Sequence, residues 1–136
     1  MNEKKKKMAI VTGAARGIGL ATAKLFEKNG YKVALVDKDN DELIKSRIDN
    51  NNQKSFSYDI SDINQLSSMF SDILNWYGRI DVLVNNAGVA DFGTIEETSY
   101  ERWNKVMNTN LNGAFLCSQQ AIPYLKKTKG NIINIA

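Results

Sequence analysis

An apolar run that stops on a glycine-rich turn constrains this chain more than any other feature. Met8–Val11 leads into Thr12-Gly13-Ala14-Ala15-Arg16-Gly17-Ile18-Gly19, and a segment with helical spacing follows. A strand that passes into a helix through so short a turn needs residues with few steric limits, and Gly13, Gly17 and Gly19 supply them. Such a helix opens with N–H groups that have no internal partner and with the positive end of its dipole in the turn. The combination suits a pyrophosphate. It is not a Walker loop, because no Gly-Lys-Ser/Thr follows.

The strand-then-helix step repeats along the chain. Strands are expected at Met8–Thr12, Lys32–Asp37, Lys54–Asp59, Asp81–Asn85 and Asn131–Ala136. A first helix is expected over Ile18–Asn29, stopped by Gly30, with Ile18, Ala21, Leu25 and Phe26 as its apolar stripe. A second starts at an Asp39/Glu42 cap and runs through Asn50, next to an Asn-rich loop over 49–53. The third carries Ile63, Leu66, Phe70, Ile73, Leu74 and Tyr77 and ends at Gly78. A long fourth starts at a Thr98/Glu101 capping box and carries Trp103, Val106, Met107, Leu111, Ala114 and Leu125. Alternation of helices with apolar strands implies a parallel sheet covered on both faces, with right-handed crossovers. The fold class is α/β, a doubly wound sheet of order 3-2-1-4-5, as at the start of a Rossmann sheet.

Composition removes other chemistries. The 136 residues include no His and one Cys, Cys117. A Ser-His-Asp triad, an imidazole base, a His-ligated zinc site, a Cys cluster for a metal and an internal disulfide are therefore ruled out, and no metal site is expected. Cys117 reads as a small buried hydrophobe. The net charge of +3 comes from Lys4–Lys7 against Glu3; without residues 1–7 the chain has 14 basic and 14 acidic residues. Residues 1–7 read as a solvated, disordered basic tail ahead of one domain over 8–136. No nucleic-acid-binding face is expected. No apolar stretch has the length of a secretion signal core or a membrane span, so a cytoplasmic protein is expected.

The spacing Gly-x-x-x-Gly-x-Gly in Thr12–Gly19 resembles the glycine motif of the short-chain dehydrogenases/reductases. Asn85-Asn86-Ala87-Gly88 is similar to the family's second motif, and Asn110-Leu111-Asn112-Gly113 and Gly130–Ala136 match two more, all in the family's order. The resemblance covers the chain from residue 8. It implies an NAD(P)-dependent oxidoreductase in which hydride passes between the nicotinamide and a carbonyl or alcohol carbon. It also implies that the full-length form is a homo-oligomer.

Within that resemblance the cofactor-binding residues are Gly13, Arg16, Gly17, Ile18, Gly19, Asp37, Asp59, Ile60, Asn86, Ala87 and Gly88. Asp37 ends the second strand, where its carboxylate can accept from the adenosine ribose hydroxyls and so favours NAD. A charge-assisted bond of that kind contributes about 1.5–3 kcal/mol. Arg16 is the residue type that partners an NADP phosphate, but an exposed contact contributes about 1 kcal/mol. NAD is therefore the preferred cofactor and NADP the alternative. Asp59 and the backbone at Ile60 would hold the adenine edge, or Asp59 would merely enter a helix capped by Ser61 or Asp62. Asn85 reads as structural. The catalytic-site residue that the resemblance assigns here is Asn110, which in the family holds a helix irregularity and a water that relays protons to a catalytic Lys. The alternative is a buried Asn bonded only to backbone. Tyr100 and Trp103 read as core or interface residues, and Asp91 and Phe92 as the edge of a substrate cleft.

The family's chemistry also needs a Ser and a Tyr with Lys four residues later. Positions four after Tyr31, Tyr58, Tyr77, Tyr100 and Tyr124 are Leu35, Asp62, Asp81, Asn104 and Thr128. The expectation is a cofactor-binding portion, truncated after the fifth strand, that is inactive alone and carries an exposed, aggregation-prone edge at its last strand. Two other readings are a non-catalytic dinucleotide-binding module and a different doubly wound binder such as an S-adenosylmethionine-dependent methyltransferase. The Asn-Asn-Ala-Gly and Asn110 motifs count against the last.

Overall fold

A computed structural model describes residues 5–46 and 50–136. Five parallel strands, β1 (Met8–Thr12), β2 (Lys32–Asp37), β3 (Gln53–Ser57), β4 (Val82–Asn85) and β5 (Asn131–Asn134), form one sheet of order β3-β2-β1-β4-β5. The order reverses at β1, which pairs with β2 from Met8 opposite Lys32 and with β4 from Ala9 opposite Val82. The expected fold class and strand order are both present.

Both faces of the sheet are covered. Met8 and Ile10 of β1 pack with α3 (Ile63–Trp76) and α5 (Gly113–Thr128); Ala9 and Val11 point the other way, toward α1 (Gly17–Lys28) and α2 (Asn40–Ser46). Every β1 residue is buried. That is why the strand reads as an unbroken apolar run and not as an alternation. In α3, Leu66, Met69, Phe70 and Ile73 supply the buried stripe. Each such side chain contributes about 1.5–3 kcal/mol on leaving water.

Two helices pack differently from the expectation. The buried residues of α1 are Gly19 and Ala23, while Ile18 and Leu25 are more than half exposed. In α5 the inner face is Gly113, Cys117, Ala121 and Leu125. Small residues let both helices lie close to the sheet, and the larger side chains are displaced to the flanks. A Cβ at Gly113 would come within 2.7 Å of Ile60 Cδ1. Cys117 is fully buried, and burial pushes its thiol up to about 12.

The long fourth helix is three pieces. An α-helix, α4 (Tyr100–Met107), passes through a π-helical turn (Asn108–Asn112) into α5. The cap of α4 is Ser99, whose side chain accepts from the Arg102 N–H; Thr98 instead donates to the Thr94 carbonyl. Tyr100 and Trp103 are exposed and not core. Asp39 caps α2 as expected, but residues 47–49 of its expected extent lie outside the described residues, as do residues 1–4 of the expected tail. Lys6 and Lys7 lead directly into β1: the Lys6 carbonyl accepts from Tyr77 Oη and the Lys7 carbonyl from the Lys32 N–H. Among the described residues no helix is long and apolar enough to cross a membrane.

Candidate functional site

The C-terminal ends of β1, β2 and β4 open onto adjoining hollows that form one groove. One end is lined by Arg16, Asp37, Lys38 and Asp39, the middle by Gly13, Ala87 and Gly88, and the other end by Ile18, Asn85, Asn110 and Phe115. Asp59 and Ile60 line the side next to Asp37. A crevice at the point where strand order reverses is the usual ligand position in an open α/β sheet.

The turn after β1 is held by its neighbours. Thr12 is fully buried, and its Oγ1 accepts from the Asn86 and Ala87 N–H groups, each at 3.0 Å. Asn86 Nδ2 reaches back to the carbonyls of Thr12 (3.2 Å) and Gly13 (3.3 Å). Gly13 has a positive φ of 64°, and a Cβ there would lie 2.9 Å from Ala87 Cα. A Cβ on Gly19 would lie 2.1 Å from the Gly13 carbonyl, so Gly19 lies behind the turn and lets the helix close on it. Gly17, at φ 58°, has open space where a side chain would project. Arg16 gives α1 no side-chain cap, and the Leu20 N–H to Arg16 carbonyl bond is the first in the helix. The amides of Gly17, Ile18 and Gly19 precede that bond at the positive end of the helix.

At the end of β2, Asp37 Oδ2 accepts from the Ala15 N–H (3.1 Å) and Oδ1 from the Asp39 N–H (3.0 Å). A carboxylate offers about four acceptor positions, so capacity remains for a ligand's hydroxyls. Asp59 Oδ1 accepts from both the backbone and the hydroxyl of Ser61, and Asp62 caps α3. The Ile60 side chain is buried against Gly113, which leaves its backbone as the group that can face a ligand.

Asn110 sits on the π-helical turn, where the Gly113 N–H reaches the Asn108 carbonyl. It is exposed, not buried as the alternative reading had it. Both of its amide atoms engage Val89: Oδ1 accepts from the Val89 N–H (2.8 Å) and Nδ2 donates to the Val89 carbonyl (2.9 Å). The helix irregularity implied by the resemblance is present, and it lets Asn110 clasp the strand that leaves β4. Asn85 Nδ2 ties Ser118 Oγ and Asn134 Oδ1, each at 3.0 Å, so it does join neighbouring elements. Asp91 and Phe92 do not line the groove. Asp91 is paired with Arg102, which also donates to the Phe92 carbonyl.

Thus Gly13, Arg16, Ile18, Asp37, Asp59, Ile60, Asn86, Ala87, Gly88 and Asn110 all line the groove, with Gly17 and Gly19 in its turn. Sequence reasoning missed Thr12 as the group that fixes the turn, and saw Asp39 only as a cap. Thr12 stood inside the glycine motif, so its position was a signal; the pairing of Asp39 with Arg16, far away in the chain, left none.

The family model for short chain dehydrogenase matches residues 7–136. A meso-2,3-butanediol dehydrogenase from Serratia marcescens is 36% identical over 132 residues, covering 96% of this chain and 53% of that protein. A 3-oxoacyl-acyl-carrier-protein reductase from Thermotoga maritima is 36% identical over 140 residues, covering 96% of this chain and 55% of its own length. Among solved structures, a 3-ketoacyl-acyl-carrier-protein reductase from Brucella melitensis complexed with NADH superposes with a TM-score of 0.89 at 29% identity, over 96% of this chain and 57% of that one. The chain spans about half the length of the curated relatives it matches.

Proposed function

Because the chain belongs to the short-chain dehydrogenase family, we propose that it is the cofactor-binding portion of an oxidoreductase that transfers hydride between a nicotinamide dinucleotide and a small carbonyl or alcohol substrate. One observation carries this reading. A glycine turn and an uncapped helix N-terminus open onto a groove at the strand-order reversal, with a carboxylate at the end of β2. The residues fit a dinucleotide: the space in front of Gly17 is open, and the N-terminal amides of α1 stand ready for a pyrophosphate. That a related reductase was solved with NADH supports the same reading.

In this arrangement Asp37 accepts from the adenosine ribose and favours NAD over NADP. Asp59 and the Ile60 backbone border the adenine, and Asn86, Ala87 and Gly88 pass beside the second ribose. The bound nicotinamide supplies the hydride donor or acceptor. Asn110 is a positioning residue: it fixes the Val89 backbone and keeps the π-helical turn open at the groove's far end. The domain is residues 8–136, preceded by a solvated basic segment. The longer form is a cytoplasmic homo-oligomer. No Tyr in this chain has Lys four residues later, so the chain alone binds cofactor without turnover. That same observation favours a second reading, a non-catalytic dinucleotide-binding module.

Titration of the chain with NADH, followed by nicotinamide fluorescence, tests the proposal. Saturable binding that is weakened by Asp37→Ala and abolished by Gly17→Val, without NADH oxidation on addition of a diketone or ketoester, is the expected result. Failure to bind NADH or NADPH refutes the cofactor assignment. Turnover by the chain alone refutes the division of labour.

A further inference from the structure

The nucleotide end of the groove carries an ion pair that the reading above does not use. Arg16 Nη2 is paired with Asp39 Oδ2. The other oxygen of Asp39 accepts from the Glu42 N–H (3.1 Å), and its own N–H donates to Asp37 (3.0 Å). Asp37 in turn accepts from Ala15, the residue before Arg16 (3.1 Å). Turn, strand end and helix cap are therefore closed into one ring of bonds. Arg16 and Lys38, two cations, line the same hollow as two carboxylates, Asp37 and Asp39. The Asp39 carboxyl is held below its ordinary value by the Glu42 N–H first, against the opposing effect of burial, and then by Arg16.

We infer that Asp39 is a cofactor-selectivity residue: it holds Arg16 in an ion pair and so withholds from a 2′-phosphate the guanidinium that would neutralise it. The inference rests on the dinucleotide reading of the groove and adds a second selectivity residue to Asp37. A 2′-phosphate entering here has to displace the Asp39 carboxylate from Arg16 while meeting the like charge of Asp37. A ribose hydroxyl meets neither obstacle. Arg16 alone reads as an NADP signal in the sequence; paired with Asp39, it becomes part of the exclusion.

Asn caps helices as well as Asp does, so Asp39→Asn removes the charge and keeps α2 capped. The experiment measures NADH and NADPH dissociation constants by nicotinamide fluorescence for the chain and for D39N, R16A and the double variant. The ratio of NADPH to NADH affinity is expected to rise about tenfold in D39N, the scale of one charge-assisted hydrogen bond. It is expected to return to the parent value in the double variant, a coupling that independent sites do not show. An unmoved ratio in D39N, with NADH still bound, overturns the inference and leaves the cofactor assignment standing. A rise that survives loss of Arg16 also overturns it, because Asp39 then acts through its own charge. If the parent chain binds neither cofactor, the groove's assignment fails and the inference falls with it. Should D39N fail to fold by circular dichroism, Asp39→Ser, also a capping residue, enters the same cycle.

Discussion

At one edge of the sheet, β3 buries Gln53 and Phe56 and turns Lys54 and Ser57 to solvent. At the other, β5 is Asn131-Ile132-Ile133-Asn134, with Ile133 and the following Ile135 each 42% exposed. On the β5 side, α5 buries Gly113, Cys117, Ala121 and Leu125, as many residues as α3 buries, but α4 buries none, and Trp103, Leu111 and Phe115 stand largely in the open. A charged, polar edge resists pairing with another chain, and an apolar one invites it. The β3 side is built to face water; the β5 side has the composition of a surface meant to be covered. The groove lies between them, with its Asp37 end on the closed side and Asn110 on the open one.

The largest test of that contrast is a pair of truncations. Ile73 on α3 is fully buried, and Ile73→Ala is expected to cost about 2–5 kcal/mol through lost transfer energy and a residual cavity. Leu111 is 57% exposed, and Leu111→Ala is expected to change stability by less than about 0.5 kcal/mol. Urea unfolding followed by circular dichroism measures both. Equal losses would mean that the α4–α5 side packs against something in solution, which removes the asymmetry.

How the sequence showed the fold, and where it misled, follows the same division. The central strands β1, β2 and β4 were legible because a sheet covered on both faces demands continuous apolar runs, and β1 is buried throughout. The groove's residues were legible because glycines mark backbone that turns at positive φ, as at Gly13 and Gly17, or approaches its neighbours closely, as at Gly13 and Gly19. The helix faces were misread. A stripe drawn through large side chains selects Ile18 and Leu25, but the intimate contacts of α1 are made by Gly19 and Ala23. Asn110, buried in the alternative reading, is exposed. The π-helical turn shifts the phase of the helix between Met107 and Gly113, so a single period cannot be carried across it. The Arg16–Asp39 pair joins residues 23 apart through a helix, a turn and a strand, and no local pattern encodes it.

A test of intermediate size exchanges the character of the two edges. Ile133→Lys places a charge on β5 and is expected to slow aggregation several-fold in a light-scattering time course at matched concentration. Ser57→Ile makes the β3 edge apolar and is expected to speed it. If Ile133→Lys has no effect while Ser57→Ile does, aggregation starts from somewhere other than β5, and the comparison of edges loses its consequence.

The smallest expected effect concerns the loop that joins β4 to α4, which belongs to the open side yet is pinned. Arg102 pairs with Asp91 (2.6 Å) and also donates to the carbonyls of Phe92 (2.9 Å) and Glu97 (3.3 Å). The Arg102 guanidinium beside Asp91 holds its carboxyl below the ordinary 3.8, against a smaller opposing effect of burial. A group whose folded value is depressed stabilises above its unfolded value, and the contribution is lost as pH falls through the folded one. Arg102→Gln is therefore expected to lower Tm slightly at pH 7, where the pair is fully ionised. Part of that difference should vanish in acid, at pH values below the ordinary 3.8, as Asp91 takes up its proton. The carbonyl bonds do not titrate, so whatever difference persists in acid measures them. A Tm difference that is the same at both pH values would show that Asp91 adds nothing and that the loop is held by carbonyl contacts alone. The open side would then owe its order to side-chain hydrogen bonds with the backbone, as the turn after β1 does at Thr12, and not to an ion pair.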